Sequence, residues 1–471
     1  MTDTDNAADA PDTGAGETGV RPLAPPRGAE LVALRRRTTA VLVTGQILGG
    51  LGVATAVTLA AVLAKEVSGS EAMSGLAATS SVIGTALLSL PLAALMVARG
   101  RRAGLTVAYL IGAAGGTVVV IGAVVNSFPL LLLGMTAFGA SSSANLQARY
   151  AAADLAEPGQ RARAISFVVW ATTIGAVLGP NIAAPAGRSV AGLGIPATAG
   201  AFVWGSAVFL VTAVLMHLLL RPDPLLTARA LAAADDGDAD GTDGEEAGGA
   251  DDSAKEGGAG GAGGAAGGSG PTKSKDDRSL RAGLAAVAAS PRARLALVTI
   301  AVSHTAMVTI MVMTPVDLGH HGAGIQLIGL VISAHIVGMY AFSPLMGWLA
   351  DRFGRLGVIL LAVALLSCAA ALAGTANGHH AQSAAGLFLL GLGWSAGLVS
   401  GSALLTDSVP QPARASVQGV SDLIMNAAAG AGGALAGLIV SEAGYGWLSA
   451  LAAVLLLPVA VMTVRNLPRR A

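Results

Sequence analysis

Long apolar runs, separated by short polar segments, dominate the chain. A helix needs about 20 apolar residues to cross the hydrocarbon core of a bilayer, and the first run, from about Thr39 to Lys65, is long enough. Eleven further runs of similar length follow, at about 72–98, 103–126, 129–152, 163–187, 197–220, 293–316, 323–349, 355–377, 382–405, 416–441 and 444–465. The pattern therefore predicts an all-α membrane protein with twelve transmembrane helices in two six-helix halves.

Polar segments flank and separate the two groups of runs. Residues 1–37 are rich in polar residues and proline, and residues 222–290 combine an acidic stretch with a Gly/Ala run. Such compositions cannot bury a core, so we predict a disordered tail and a disordered linker. The acidic stretch is more typical of a solvated spacer than of a docking site, and both interpretations are kept. The predicted domains are the tail 1–37, the half 38–221, the linker 222–290, the half 291–466 and the tail 467–471.

The composition narrows the function classes. Charged residues make up 12% of the chain, about half the share found in soluble domains, while 53% is hydrophobic. The formal net charge is zero, so electrostatics favour no nucleic-acid partner. The single cysteine, Cys368, excludes an intrachain disulfide and a cysteine metal cluster. No nucleotide-binding motif or convincing catalytic constellation is present, so we expect a membrane protein that is not an enzyme and needs no cofactor.

The arginines predict the orientation in the membrane. Positive charge is concentrated in cytoplasmic segments, so the N-terminus, the linker and the C-terminus are expected inside, in a multi-pass protein of the plasma membrane. With this orientation the outer loops hold only Lys65 and Arg188. The inner segments hold the linker's basic residues together with Arg35, Arg36, Arg37, Arg99, Arg101, Arg102, Arg161, Arg163, Arg352, Arg355, Arg414, Arg465, Arg469 and Arg470.

A charged turn between the eighth and ninth runs carries a spaced motif, made of Gly347, Asp351, Arg352, Gly354 and Arg355. Gly347 permits a close helix approach, and Asp351 is placed to meet a helix N-terminus or a cation. The motif, together with the twelve-run plan, resembles the major facilitator superfamily of secondary transporters. The resemblance implies alternating access, with Arg352 and Arg355 pairing across an inner gate in one conformation.

The first half departs from this motif. It keeps Arg101 and Arg102 but lacks the aspartate, and ordinary inside anchoring is sufficient to explain both arginines. In the fifth run, Gly175, Gly179 and Pro180 resemble part of an antiporter motif, which we interpret as a packing kink without a transport direction.

Methionine and histidine pairs stand on two consecutive runs. Met307 and Met311 are four residues apart, as are His335 and Met339, and residues at this spacing share a helix face. His304 lies three residues before Met307 on its face. At about 1.5 Å of rise per residue, Met307 and His335 lie level near mid-membrane. Thioether sulfur suits Cu(I), and imidazole binds copper in either common state, although methionine is also a common apolar filler.

The two pairs resemble those of the CcoA-like copper importers of the same superfamily. The segments Arg149–Ala156 and Val168–Thr173 are also similar to that group. The resemblance implies copper uptake, with Met307, Met311, His335 and Met339 as ligands and copper as a substrate. Relatives without the pairs are similar to riboflavin transporters. A small organic cargo, imported or exported as a drug, therefore stays open, as does a non-transporting membrane sensor or assembly partner.

Other polar residues within the apolar runs are candidates for the pathway or for coupling. Gln46 and Asn145 lie on runs expected to line the cavity, but interhelical hydrogen bonding is an equally good explanation. Asp422 is a carboxylate near a run interior, which either pairs with Arg414, caps the gate or carries protons. The loop pairs His320–His321 and His379–His380 are interpreted as solvated. The expected partners are the lipid bilayer and a small-molecule or metal-ion substrate, and we expect a monomer.

Overall fold

The computed structural model describes Pro26 and residues 28–70, 73–242 and 280–467. Within these residues the chain is helical, without a strand. The first half is built from α1 Ala29–Ser68, α2 Ser74–Arg99, α3 Arg101–Val124, α4 Phe128–Asp154, α5 Arg161–Ser189 and α6 Gly200–Leu219. Two helices follow in the linker region, α7 Pro224–Thr242 and α8 Leu280–Ala289. The second half contains α9 Pro291–His320, α10 Ile325–Ile336, α11 Ser343–Phe353, α12 Arg355–Gly374, α13 His380–Asp407, α14 Arg414–Ala443, α15 Tyr445–Leu455 and α16 Leu457–Asn466.

Two of the predicted spans are interrupted helices. A π turn over Val337–Ala341 connects α10 to α11, and Pro344 stands in the first turn of α11. The last span bends between α15 and α16, where Pro458 stands in the first turn of α16. Proline has no N–H to give to the preceding turn, which accounts for a break at each place. With each interrupted pair counted once, the described residues form the predicted twelve-helix bundle.

Apolarity agrees with a membrane location. Among the described residues, eleven helical segments are long and apolar enough to cross a bilayer. The remaining member of the bundle is α4, a 27-residue helix packed along α2 and α3. It falls short of the apolar length of the others because it carries Ser141–Ser143, Asn145, Gln147 and Arg149 within its C-terminal half. The prediction of an all-helical fold with two six-helix halves is confirmed.

Each half has its own core. Phe138, Phe202 and Phe209 pack together in the core of the first half, with ring centroids 5.1–5.7 Å apart for the tilted and edge-on pairs that involve Phe138. The core of the second half includes Leu366 and Leu390 and extends across to residues of α5. Small residues bring helices close together: a Cβ on Gly175 of α5 would lie 2.6 Å from the backbone of α1. The glycines of the fifth run therefore serve close packing of α1 against α5.

The predicted disorder of the tail and the linker is wrong at their edges. Helix α1 begins at Ala29 rather than near residue 38, because the Ala/Leu-rich segment before the arginines favours a helix. In the linker region, α7 is docked: Leu225 is fully buried against Val97 and Ala415, and Arg229 donates to the Val97 carbonyl. The acidic residues after Thr242 and the Gly/Ala run lie outside the described residues.

Candidate functional site

A cavity of about 560 Å³ lies between the two halves. The start of α1, the end of α16 and the linker helices α7 and α8 meet one end of the bundle, which we call the linker end. The floor of the cavity near that end includes Arg149, whereas Ala60 and Ala78 lie toward the opposite end. The first half supplies most of the wall through α1, α2, α4 and α5. The second half contributes His304, Ile336, Met339, Tyr340, Trp394, Leu398 and Asn426.

Gln46 and Asn145, the two amides predicted for the pathway, line this cavity, as does Asn426. Gln46 donates to the Thr172 hydroxyl at 2.9 Å, and its own carbonyl oxygen is buried without a partner. Asn145 accepts from the Tyr109 hydroxyl at 2.7 Å. Asn426 donates to the Asp422 carbonyl at 2.8 Å, which leaves its side-chain oxygen for other partners. Each amide is therefore held by one neighbour and keeps hydrogen-bonding capacity for a solute.

Aromatic rings form the wall of the second half. Trp394 donates its indole N–H to Nδ1 of His304 at 2.8 Å, and Tyr340 packs edge-on against the same indole at 5.6 Å between centroids. Since Nδ1 of His304 is an acceptor, its proton is on Nε2 when the ring is neutral. His304 thus offers the cavity a donor rather than a free lone pair in this conformation.

The four residues predicted to bind copper lie on α9, on α10 and in the π turn, and α13 packs against both α9 and α10. Met307 is buried in the core of the second half, and Met311 packs on that core. His335 is fully buried, and its Nδ1 lies 2.8 Å from the Leu387 carbonyl oxygen of α13. Met339 lies in the π turn and lines the cavity. The π turn interrupts the regular α-helical repeat on which a shared face of His335 and Met339 was predicted.

The cavity floor is closed by a buried polar network between α4 and α14. Arg149 forms an ion pair with Asp422 at 2.7 Å, and Gln147 donates to the other Asp422 oxygen at 2.7 Å. Arg101 of α3 binds Asp154 at 2.7 Å and also donates to Gln147. The sequence offered Arg414 as a partner of Asp422; the structure pairs Asp422 with Arg149 instead.

Arg101 extends the network across the halves. Its guanidinium donates to the side-chain oxygen of Gln418, which is on α14, and its side chain is 0% exposed. Inside anchoring therefore does not explain Arg101, whereas the half-buried Arg102 stays compatible with it. Both Arg101 and Arg355 open a helix directly after a positive-φ glycine, Gly100 or Gly354, so the two halves share this turn.

A second, more exposed network closes the other side of the linker end. Asp351 accepts from the N–H groups of Ala162 and Arg163 at 3.3 and 2.9 Å, so it caps the N-terminus of α5. Arg355 pairs with Asp351 at 2.6 Å and with Asp407 at 3.3 Å, and it also donates to the Pro158 carbonyl. These contacts join the spaced motif to the opposite half, as expected for a gate.

Two residues of the motif have different roles. Gly347 lies against α5, where an added Cβ would contact the Ser166 side chain and lie 2.7 Å from the Ala162 carbonyl oxygen. Arg352 is exposed and forms no ion pair with any described residue, so its predicted pairing across the gate is absent from this conformation and stays a prediction. Arg161 of α5 takes that place, because it reaches Asp407 at 2.5 Å.

The residues missed from the sequence are those of the buried network: Arg101, Gln147, Arg149, Asp154 and Gln418. Arg149 and Asp154 were noted only as part of a family-like segment. A signal for them existed, since polar side chains inside apolar runs need partners. The sequence could not tell which runs are neighbours. Within the described residues, no group of three or more His, Cys, Asp or Glu side chains is arranged to hold a metal ion.

Comparison with known proteins gives the family. The model of the Major Facilitator Superfamily matches residues 42–321 and 295–471. The chain is 35% identical to the MFS-type transporter YddS of Bacillus subtilis over 93% of each chain. It is 26% identical to the riboflavin transporter RfnT of Brucella anthropi over 87% of this chain and 90% of that protein.

A solved structure shares the fold at low sequence identity. The human organic anion transporter MFSD10 superposes with a TM-score of 0.67 at 16% identity, over 91% of this chain and 99% of that one. The family match spans both helical halves, and it agrees with a central cavity closed by charged contacts at one end. The chain therefore belongs to the Major Facilitator Superfamily and is a secondary transporter, not an enzyme.

Proposed function

We propose that this transporter takes up copper, with Met307, Met311, His335 and Met339 as the ligands. The observation that supports this proposal most is the hydrogen bonding of the His335 ring. A carbonyl cannot donate, so Nδ1 of His335 donates to Leu387 and Nε2 keeps a free lone pair. Nε2 is buried and has no hydrogen-bond partner. A histidine that binds a metal commonly gives its other N–H to a backbone carbonyl in this way.

The surroundings of His335 suit a soft cation. An unpartnered buried acceptor costs about 1–3 kcal/mol, which a bound cation would recover. Met339 is the thioether exposed to the cavity, and Met307 and Met311 supply further soft donors in the same half. The cavity extends from Arg149 toward the end opposite the linker. With the linker in the cytoplasm, as the arginines predict, cargo enters from outside.

Copper uptake into cells that lack their own importer tests this proposal. Met311→Leu and Met339→Leu keep the side-chain volume but remove sulfur, and His335→Asn keeps a donor for Leu387 but removes Nε2. We expect each to lower the initial uptake rate at least about tenfold, as loss of one ligand would. Met313→Leu, on the same helix but outside the pair, should transport normally. Equal rates in Met313→Leu and Met311→Leu, or no uptake by the correctly inserted protein, would refute copper as the cargo.

The second candidate is a small organic molecule, favoured by the cavity itself. Its volume of about 560 Å³ is in the range of organic ligand sites, and it is lined by an indole, a phenol and several amides. The relative RfnT is a riboflavin transporter, and a flavin ring would stack on Trp394 and hydrogen-bond to Gln46 and Asn145. Riboflavin uptake that depends on Trp394 and Asn145, but not on Met311 or Met339, would favour this cargo over copper.

A further inference from the structure

A second cavity lies on the outer surface of the first half at the linker end. Its volume is about 430 Å³, and it is separate from the central cavity. It is formed where the Arg35–Val43 part of α1 and the first two turns of α5 approach the end of α4. We call it the α1/α5 groove. Its lining includes Arg35, Arg36 and Thr39 of α1, Glu157 after α4, and Arg163 and Phe167 of α5.

The groove has an excess of positive charge. Three arginines line it against one glutamate, and Arg35 is already paired with Glu157 at 2.6 Å and with the Leu155 carbonyl at 2.7 Å. Arg36 and Arg163 are exposed, and neither forms an ion pair with any described residue. Two guanidinium groups therefore face the groove without an anion, and guanidinium is the side chain best suited to phosphate.

An apolar wall continues from the charged rim into the membrane region. Arg163, Phe167 and Trp170 share one face of α5, and the two aromatic side chains are 43% and 37% exposed. On α1, Val43 stands one turn beyond Thr39 and also lines the groove. A ligand that fits both surfaces has an anionic head at the rim and an apolar tail along the aromatic face.

The second half shows what occupies the corresponding place. Arg163 and Phe167 are the third and seventh residues of α5, and Ser416 and Val420 are the third and seventh of α14. Helix α8 lies against that pair, because a Cβ on its Gly283 would lie 2.7 Å from Val420 and 3.3 Å from the Ser416 carbonyl. The second half thus fills its groove with α8, whereas no described helix fills the basic α1/α5 groove of the first half.

We propose that the α1/α5 groove binds an anionic phospholipid of the linker-side leaflet. The phosphodiester contacts Arg36 and Arg163, and an acyl chain packs along Phe167 and Trp170. Basic pockets between membrane helices bind lipid head groups by this chemistry. The inference does not depend on the identity of the cargo.

Native mass spectrometry of the purified full chain tests the site. The probes are phosphatidylglycerol, phosphatidylcholine and inorganic phosphate. We expect phosphatidylglycerol to be retained far better than phosphatidylcholine. The double variant Arg36→Gln/Arg163→Gln should bind phosphatidylglycerol roughly tenfold more weakly, since each arginine near a membrane surface contributes measurably to anionic lipid binding. The matched variant Arg37→Gln/Arg99→Gln removes the same charge from exposed positions outside the groove and should bind as the intact chain does.

A second variant keeps the test decisive if the double variant folds poorly. Ala40→Trp fills the groove from an exposed position and leaves every arginine in place, so it should also lose the lipid. Equal weakening by both arginine pairs would show general charge attraction and overturn the site. So would the absence of a preference for phosphatidylglycerol. Displacement of the lipid by inorganic phosphate at similar concentration would assign the groove to a free anion, and would also overturn the proposal.

Discussion

Arg149 and Asp422 form an ion pair between the two halves, with 2.7 Å between the guanidinium nitrogen and the carboxylate oxygen and with side chains 2% and 0% exposed. Each residue belongs to a different six-helix half, α4 or α14. Water does not screen the pair, and Gln147 satisfies the second carboxylate oxygen. The pair therefore links the two halves. Loss of either partner alone would leave the other charge buried without compensation.

Removing one partner of this ion pair should lower the stability of the protein more than removing both. Arg149→Met leaves the buried Asp422 carboxylate without its main partner, and the expected loss of stability is about 3 kcal/mol. Arg149→Met/Asp422→Leu removes both charges and should recover much of that loss. Thermal unfolding of the single and double variants in detergent measures the coupling. Additive effects of the two substitutions would show that the pair does not stabilise the fold as a unit.

Asp351→Asn should weaken closure at the linker end. The substitution removes the negative charge that caps α5 and pairs with Arg355, at a cost of about 1 kcal/mol, which corresponds to a roughly fivefold larger open population. Ser166 is buried at this contact, so Ser166→Cys in a Cys368→Ser background reports opening by its alkylation rate. The rate should rise about fivefold with Asp351→Asn.

The matched control for this measurement is an acid remote from the gate. Glu442 is exposed at the far end of α14, so Glu442→Gln should leave the Ser166→Cys alkylation rate unchanged. An unchanged rate in Asp351→Asn as well would mean that the aspartate does not hold the closed conformation.

A glycine exchange tests the contact between α2 and α14. A Cβ on Gly419 would collide with the Cβ of Ala93, while the Ser89 carbonyl oxygen lies 3.3 Å away. Gly419→Ala should therefore separate the helices and lower the transport rate, since overpacking costs about 1–3 kcal/mol. Gly419→Ala/Ala93→Gly moves the methyl group to the other helix and should restore transport. Failure of the second substitution to rescue the first would place the defect elsewhere.

Two deletions in the linker should differ in their effect, depending on whether helix α7 is kept. Removing residues 243–279 spares the described parts of the linker, so uptake and thermal stability should stay close to those of the intact chain. Removing residues 225–275 also takes away Leu225 and Arg229, which dock α7 against α2 and α14. That protein should unfold at a lower temperature. Loss of uptake in the smaller deletion would give the acidic segment a role beyond connecting the halves.

The sequence predicted the parts of the fold that depend on local pattern. Runs of about 20 apolar residues specify membrane helices wherever they occur, and the spaced motif placed Gly347, Asp351 and Arg355 at the gate. Helix ends were predicted less accurately than the helices themselves. Helix α1 extends ten residues before the first predicted span, because a basic segment can continue a helix beyond the bilayer.

The partners of the buried polar residues could not be predicted, because they depend on which helices are neighbours. Arg101 and Gln418 are 317 residues apart in the chain, and their side chains meet across the two halves. The π turn at Met339 had no local signal apart from the nearby Pro344, and it separates the cavity-facing Met339 from the buried His335. The copper ligands therefore remain a prediction that uptake measurements must decide.

The two networks at the linker end differ in their contact with water. The closed end therefore has a dry edge, at the buried network, and a wet edge, at the more exposed network. The side chains of Arg101, Asp154, Arg149 and Asp422 are at most 2% exposed, whereas Arg161, Arg355 and Asp407 are 12–25% exposed. Dissolved ions weaken the exposed pairs and hardly reach the buried ones. We therefore expect the halves to part first along the wet edge and to pivot on the dry one, so that ionic strength sets how readily the motion starts.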